Sequence, residues 1–167
     1  NYIRCRTVDE LYLFAYCKDD VDSKQCAKDY SDTTQLKVIA SGKKLYFFPP
    51  SINKGMALSK LRKELKPELI ISAGDSIIDI PMLEKADIAI INTCTVTNTA
   101  DSKSLKVIRH TIKENPNSIV IVTGCFSQVN PDKLKDLEGV SIVLGNHDKS
   151  KIIEYIEKYK KENKQVS

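Results

Sequence analysis

From Ser51 onward the apolar positions of the chain follow two alternating periods. Met56, Leu58, Leu61 and Leu65 recur at helical spacing and predict a helix over 54–65 that stops before Pro67. LIISA (69–73), IAIIN (88–92), IVIVT (119–123) and SIVL (141–144) are short apolar runs with little polar alternation. Such runs suit strands buried on both faces of a parallel sheet. Between and after them lie a short helix over 79–85, a long one over about 99–114, one from Asp132 to Leu137, and a terminal one over 149–162. Ala100, Leu105, Val107, Ile108 and Ile112 set the apolar side of the long helix, and Asn115-Pro116 ends it. Strands alternating with helices predict an α/β three-layer parallel sheet, Rossmann-like or flavodoxin-like, over 50–162, with 163–167 as a fraying tail. Right-handed crossovers then bring the loops after 69–73, 88–92 and 119–123 to one edge of that sheet.

Residues 1–49 read differently. ELYLFAYC, LKVIASG and KLYFFPP predict strands, and DSKQCAKDYSD predicts a helix opened by a capping aspartate. GKK between the last two strands signals a hairpin. This is a small α/β appendage to the larger domain.

Composition narrows the class. The 167 residues are 41% hydrophobic, which suffices for a core, and no apolar run approaches the length of a membrane span. No signal-peptide pattern opens the chain, and the first residue, Asn1, implies that the natural start is missing or removed. Five cysteines at irregular spacing point to thiols or metal in a reducing, cytoplasmic setting rather than to disulfides. The composition does not address oligomeric state.

Three sets of residues carry candidate chemistry. Cys94 and Cys125 each stand directly after an apolar strand, where open α/β sheets bind ligands. Two thiols on one rim are half of a metal site; the alternative is two small buried hydrophobes. Asp75 and Asp79, in GDSIID after a strand, offer hard oxygens suited to Mg²⁺, and the Lys54 ammonium suits phosphate. The alternative there is a helix cap at Asp75 or Ser76. Lys103, Lys106, Arg109 and Lys113, with His110, gather on the polar side of the long helix. That stripe is a phosphate-contacting surface or an ordinary solvated face. His110 and His147 pair with no cysteine at ligand spacing and are read as structural or solvent-facing.

INTCTVTNTADSKS, VTGCFSQ and then LGN resemble the N-terminal domain of the radical-SAM tRNA methylthiotransferases, over about residues 84–160. In that family three cysteines of this domain hold an auxiliary 4Fe–4S cluster. Cys94 and Cys125 match the second and third, the first is absent, and so is the C-x-x-x-C-x-x-C run of the radical cluster. The resemblance implies tRNA as partner and S-adenosylmethionine as cofactor of the full-length family, with Lys103, Lys106, Arg109 and Lys113 as nucleic-acid contacts.

SINKGMALSKLRKEL, followed by LIISAGDSIIDIPMLEKADIAI, resembles the C-terminal part of the haloacid dehalogenase-like (HAD) phosphatases, over about residues 1–90. It implies catalytic roles for Lys54 and Asp75, Mg²⁺ ligation by Asp75 and Asp79, and a cap remnant in 1–49. The two resemblances meet at EKADIAI, so the chain looks like a fusion or chimera. A nucleophile motif is poorly represented: DVDS (Asp20, Asp22, Ser23) follows its strand too late and lies only 34 residues before Lys54. The aligned motifs also put Asp75 where the first cluster cysteine should stand. A carboxylate with two thiolates suits Zn²⁺ better than an iron–sulfur cluster. The expected function is a partial methylthiotransferase N-terminal domain joined to a HAD-like fragment, not catalytic alone. The alternatives are a Mg²⁺-dependent phosphohydrolase and an inactive scaffold.

Overall fold

A computed structural model describes residues 2–8, 11–93 and 98–164, with the side chains of 2–5, 98–101 and 164 outside that description. The chain divides into two compact units, Asn1–Ala57 and Leu58–Ser167, the division falling within helix α2 (Lys54–Leu65).

Unit 1 is a four-stranded antiparallel sheet, β1 (Tyr2–Val8), β2 (Tyr12–Cys17), β3 (Lys37–Ser41) and β4 (Lys44–Phe48), in the order β1-β2-β4-β3. Helix α1 (Ser23–Thr33) packs on one face, where Ala15, Cys17, Val38, Leu45 and Phe47 meet Ala27. Asp22 caps α1: its Oδ1 accepts from the amides of Lys24 at 2.9 Å and Gln25 at 3.3 Å, a device that contributes about 1 kcal/mol. Ser23 Oγ donates to the carbonyl of Gly42, whose φ of +59° closes the β3–β4 hairpin. Asp22 and Ser23 are thus occupied in folding the helix against the hairpin, and Asp20 lies in a turn beyond the end of β2. Burial, and then the neighbouring Cys26, push the Cys17 thiol up, so it stays protonated.

Unit 2 is a parallel sheet of β5 (Ile71–Gly74), β6 (Ile88–Thr93), β7 (Ile119–Gly124) and β8 (Ile142–Leu144), in sequential order. All three pairings are parallel, as the strand–helix alternation predicts. Ala89, Ile91, Val120 and Val122 point to one face, against α3 (Ile80–Leu83), α4 (Asn98–Glu114), α5 (Cys125–Val129) and α6 (Pro131–Lys135). Ile88, Ile121 and Leu144 point to the other, against Ile156 of α7 (Ile152–Lys164). Strands added always in the same direction, with right-handed crossovers, put every connecting helix on one face; the terminal helix covers the other. Three layers result. Each fully buried Ile, Leu or Val contributes about 1.5–3 kcal/mol, so β6 and β7, buried on both faces, anchor the unit.

The helix over 54–65 and the central strands stand where periodicity puts them. Three details differ. The helix expected over 79–85 is a 3₁₀ turn, Ile77–Asp79, running into the four-residue α3. The terminal helix is preceded by a 3₁₀ segment, Asn146–Lys151. Strand β1 and helix α5 have no counterpart among the expected elements.

Asp87 fastens the entry to β6. Its carboxylate accepts from the Ile70 amide at 2.7 Å and from Arg62 Nη2 at 2.8 Å. Burial acts to raise this carboxyl, but the Ile70 and Arg62 hydrogen bonds outweigh it and hold the carboxyl below its ordinary value. A folded pKa below the unfolded one gives stability that is complete above the unfolded value and lost as pH falls through the folded value. The urea midpoint of the wild type should therefore exceed that of Asp87→Asn by a constant amount from neutral pH to about pH 5. The gap should shrink below about pH 3.9, the ordinary aspartate value. A gap that does not change with pH would show that the charge of Asp87 contributes nothing.

Candidate functional site

The carboxyl ends of β5 and β7 deliver Asp75 and Cys125 to one rim of unit 2, and Cys94 follows β6 in the sequence. Register fixes how these ends compare. Thr93 pairs with Gly124, so β6 and β7 end at the same level, and Cys125 follows Gly124 directly. Cys94 itself lies outside the described residues. Gly74 pairs with Ile91, which places Asp75 at the level of Asn92.

Gly124 is there by necessity. Its φ is +110°, and a Cβ would run into the carbonyl of Thr93 and stand 2.7 Å from the Thr93 nitrogen. Thr93 Oγ1 also donates to the Thr123 carbonyl at 2.7 Å, a buried cross-strand bond at the very end of the pair. Strand β7 can therefore approach β6 closely and then turn at once into α5, whose first residue is the exposed Cys125.

VTGCFSQ and LGN, separated in sequence, interlock here. Ser127 Oγ donates to the carbonyls of Gly124 and Leu144, both at 2.9 Å. Gln128 Oε1 accepts from the Asn146 amide at 3.0 Å, and Asn146 Nδ2 stands 3.5 Å from Cys125 Sγ as a donor. Gly145 keeps room for Gln128, whose Cδ would lie 3.1 Å from a Cβ at that position. Lys149 Nζ reaches Asn92 Oδ1 at 2.9 Å, bringing a cation onto the end of β6. Sequence reasoning did not single out Asn92, Gln128, Asn146 or Lys149. Gln128 closes VTGCFSQ and Asn146 closes LGN, but polar residues 18 positions apart carry no periodicity.

The GDSIID loop is built for closure. Asp79 is buried, and its Oδ2 accepts from the amides of Asp75 and Ser76, both at 3.1 Å, and from Ser76 Oγ at 2.9 Å. Gly74 has no side chain because Asp79 folds over it, its Cγ only 2.8 Å from where a Cβ would stand. Asp75 is left exposed at the rim. Lys54 is exposed at the start of α2 in unit 1, behind Asn53, whose Oδ1 accepts from the Met56 amide at 2.9 Å. The polar side of α4 exposes Lys103, Lys106, Arg109 and Lys113, while His110 lies near Glu84 and Glu114.

Among the described residues no group of three His, Cys, Asp or Glu side chains is assembled to hold a metal. Of the three cysteines that the resemblance assigns to the cluster, the sequence supplies two, Cys94 and Cys125, whereas a 4Fe–4S cluster takes four ligands, ordinarily thiolates. The donor set does not fit that cluster.

Comparison with known proteins matches this division of labour. The model for haloacid dehalogenase-like hydrolases matches residues 5–92, more than half of the chain. The chain belongs to that family. Within this hydrolase-family chain, residues 65–145 also match the uncharacterized protein family UPF0004. The two matches share 65–92, the whole segment from the end of α2 through β6, a wider overlap than EKADIAI alone. Among curated relatives it is similar to the threonylcarbamoyladenosine tRNA methylthiotransferase MtaB of Bacillus subtilis (strain 168), at 44% identity over 84 residues, half of this chain and 19% of that protein. The MtaB of Aquifex aeolicus (strain VF5) is 35% identical over 105 residues, 63% of this chain and 25% of that protein. The chain thus spans about a fifth to a quarter of the length of these relatives. A solved haloacid dehalogenase-like hydrolase from B. subtilis aligns with a TM-score of 0.45 at 21% identity, covering 55% of this chain and 33% of that one.

Two outcomes follow from the loop and the rim. Asp79→Ala orphans the Asp75 and Ser76 amides and should lower the unfolding free energy by about 1–3 kcal/mol, read by urea denaturation. Gly124→Ala should cost at least about 2 kcal/mol, because strain at positive φ adds to the collision with Thr93. A Gly124→Ala variant with wild-type stability would mean that the close approach of β6 and β7 is not needed.

Proposed function

We propose that the chain acts as a tRNA-binding α/β domain, equivalent to the N-terminal part of a tRNA methylthiotransferase, carried without the radical core and not catalytic alone. One observation supports it most: the Thr93–Gly124 register with the interlocked Ser127, Gln128 and Asn146, which keeps the methylthiotransferase-like rim whole around Cys125. The exposed Lys103, Lys106, Arg109 and Lys113 of α4 serve as phosphate contacts for tRNA, in a cytoplasmic setting. At the rim, Cys94 and Cys125 with Asp75 take Zn²⁺ in place of the cluster, with a fourth position open to water. The thiolates must be deprotonated to bind, so uptake strengthens as pH rises.

The second reading, a Mg²⁺-dependent phosphohydrolase, rests on the family match over 5–92 and on Lys54, Asp75 and Asp79. It is the weaker one. Asp79 Oδ2 already takes three hydrogen bonds within its loop. Among the described residues, the only carboxylate directly following a strand of the parallel sheet is Asp75, which the family pattern assigns to metal and not to nucleophilic attack.

Anaerobic iron–sulfide reconstitution, with absorbance and iron counting, separates these possibilities at the rim. The wild type should take up little or no stable cluster, bind Zn²⁺, and gain cluster binding in Asp75→Cys. A full, stable cluster in the wild type would refute the missing-ligand argument, and no gain in Asp75→Cys would refute the placement of Asp75. In parallel, the chain should show no Mg²⁺-dependent hydrolysis of phosphate monoesters. Turnover abolished by Asp20→Asn would instead establish the phosphohydrolase and its DVDS nucleophile.

A further inference from the structure

The antiparallel sheet of unit 1 has a second face that α1 does not cover. The β2–β4 register alternates its side chains: Leu13, Ala15, Leu45 and Phe47 turn toward α1, and Tyr12, Phe14, Tyr16, Tyr46 and Phe48 turn the other way. The five rings form one connected platform on the two central strands. Tyr12 and Phe48 lie 5.0 Å apart between centroids, and Tyr46 is stacked on Phe48 at 6.3 Å with an interplanar angle of 10°. Phe14 joins Tyr46 at 6.3 Å and Tyr16 edge-on at 5.8 Å. All five are partly accessible rather than buried.

Cations frame the platform. Arg6 pairs with Phe14 from β1, and Lys37 pairs with Phe48 from β3, so each lateral edge carries one. Lys44 stands between them, its Nζ 5.2 Å from the Tyr16 ring centroid. No Asp or Glu occupies a strand position on this face among the described residues. Rings that accept flat π systems, with cations within reach of phosphates, are the two components of a single-strand nucleic-acid surface. A second copy of the chain would bring like charges together on this face. The hydroxyls of Tyr12, Tyr16, Tyr46 and Ser41 on the same face suit a ribose 2′-OH, which both donates and accepts.

We propose that this face of the unit 1 sheet binds single-stranded RNA, with bases stacking on Phe14, Tyr46 and Phe48 and phosphates held by Arg6, Lys37 and Lys44. The site is built from unit 1 alone, whereas the α4 stripe and Cys125 belong to unit 2. Binding is sequence-tolerant, because any base offers a π face. Three phosphate contacts to a single strand give a slope of log K against log salt of about −2.

The test is fluorescence anisotropy of the full chain with labelled oligo(U) and oligo(A) RNA and oligo(dT) DNA. Saturable RNA binding is expected, weaker for oligo(dT). Phe14→Leu and Tyr46→Leu, which keep an apolar side chain but lose the stack, should each weaken it about tenfold. Lys44→Glu should weaken it and flatten the salt slope; as a partly accessible residue it leaves the core intact if either ring variant misfolds. In a Lys106→Glu/Arg109→Glu background, which removes α4 phosphate contacts, Phe14→Leu and Tyr46→Leu should weaken oligonucleotide binding by the same factor, which keeps this result independent of the tRNA reading. No RNA binding at protein concentrations up to about 100 μM, the weak end of non-specific affinity, would overturn the proposal. So would equal affinity for oligo(dT), loss of binding only in the α4 variant, or self-association of the chain abolished by Tyr46→Leu.

Discussion

Everything at the rim depends on how closely β6 and β7 can run together at their carboxyl ends. Thr93 and Gly124 pair in register, and the missing side chain of Gly124 lets the Thr93 backbone occupy space that any Cβ would contest. The positive φ of Gly124 turns the chain straight from strand to helix, so that Cys125 leaves the sheet with no intervening loop. Buried side chains of β6 and β7 hold this pair from both faces, so the geometry of the rim is set by the stiffest part of the unit. Cys125 owes its place to packing rather than to any ligand, and a thiol so placed remains on the rim whether or not a metal arrives.

The segment 65–92 shows how one strand–helix–strand piece can serve two families. Both matches include it, and its internal chemistry is self-contained: Gly74 makes room for Asp79, and Asp79 satisfies the amides that the sharp turn leaves open. A parallel strand ending in such a turn needs only a neighbour with the right register, and Ile88–Thr93 supplies it. The neighbours on the far side are not specified by the loop. Shared architecture therefore says little about shared chemistry, which resides in the residues that follow the strand ends.

Most of unit 2 was legible because its strands are buried on both faces and read as unbroken Ile and Val runs, while α4 carries a clear apolar stripe. The helix α2 was bounded by Asn53 and Pro67. What escaped did so for physical reasons. Strand β1, YIRCRTV, has no unbroken apolar run like those of the buried strands, because Arg4 and Arg6 interrupt it. Helix α5 has five residues and no side-chain cap, too short for a period and started by a positive-φ glycine instead of a signal residue. Cys125 and Asp75 were visible as residues after strands, whereas Asn146 and Gln128 gain meaning only once β7 and β8 lie side by side. Ser76 stands at the N-cap, as one alternative reading of GDSIID has it, and Asp79, three residues on, completes the box by accepting from the Ser76 amide.

The two sheets also divide the apolar residues of the chain by type, and the division follows from their geometry. A parallel sheet with helices on both sides needs compact, branched side chains that fill two thin layers, hence the Ile and Val of β6 and β7. An antiparallel sheet with a single helix has one face to bury, and in unit 1 Ala15, Cys17, Val38, Leu45 and one ring, Phe47, close it beneath Ala27. Large rings are not required on the opposite face for that core to close. Their concentration there, on a face that also carries Arg6, Lys37 and Lys44 beside Val8, Ile39 and Ser41, is thus a property of the surface and not of the fold. Cross-strand aromatic pairs do return about 0.2–1 kcal/mol each to the sheet, which accounts for one or two such contacts. It does not by itself call for five rings in one connected array with Arg6, Lys37 and Lys44 around it.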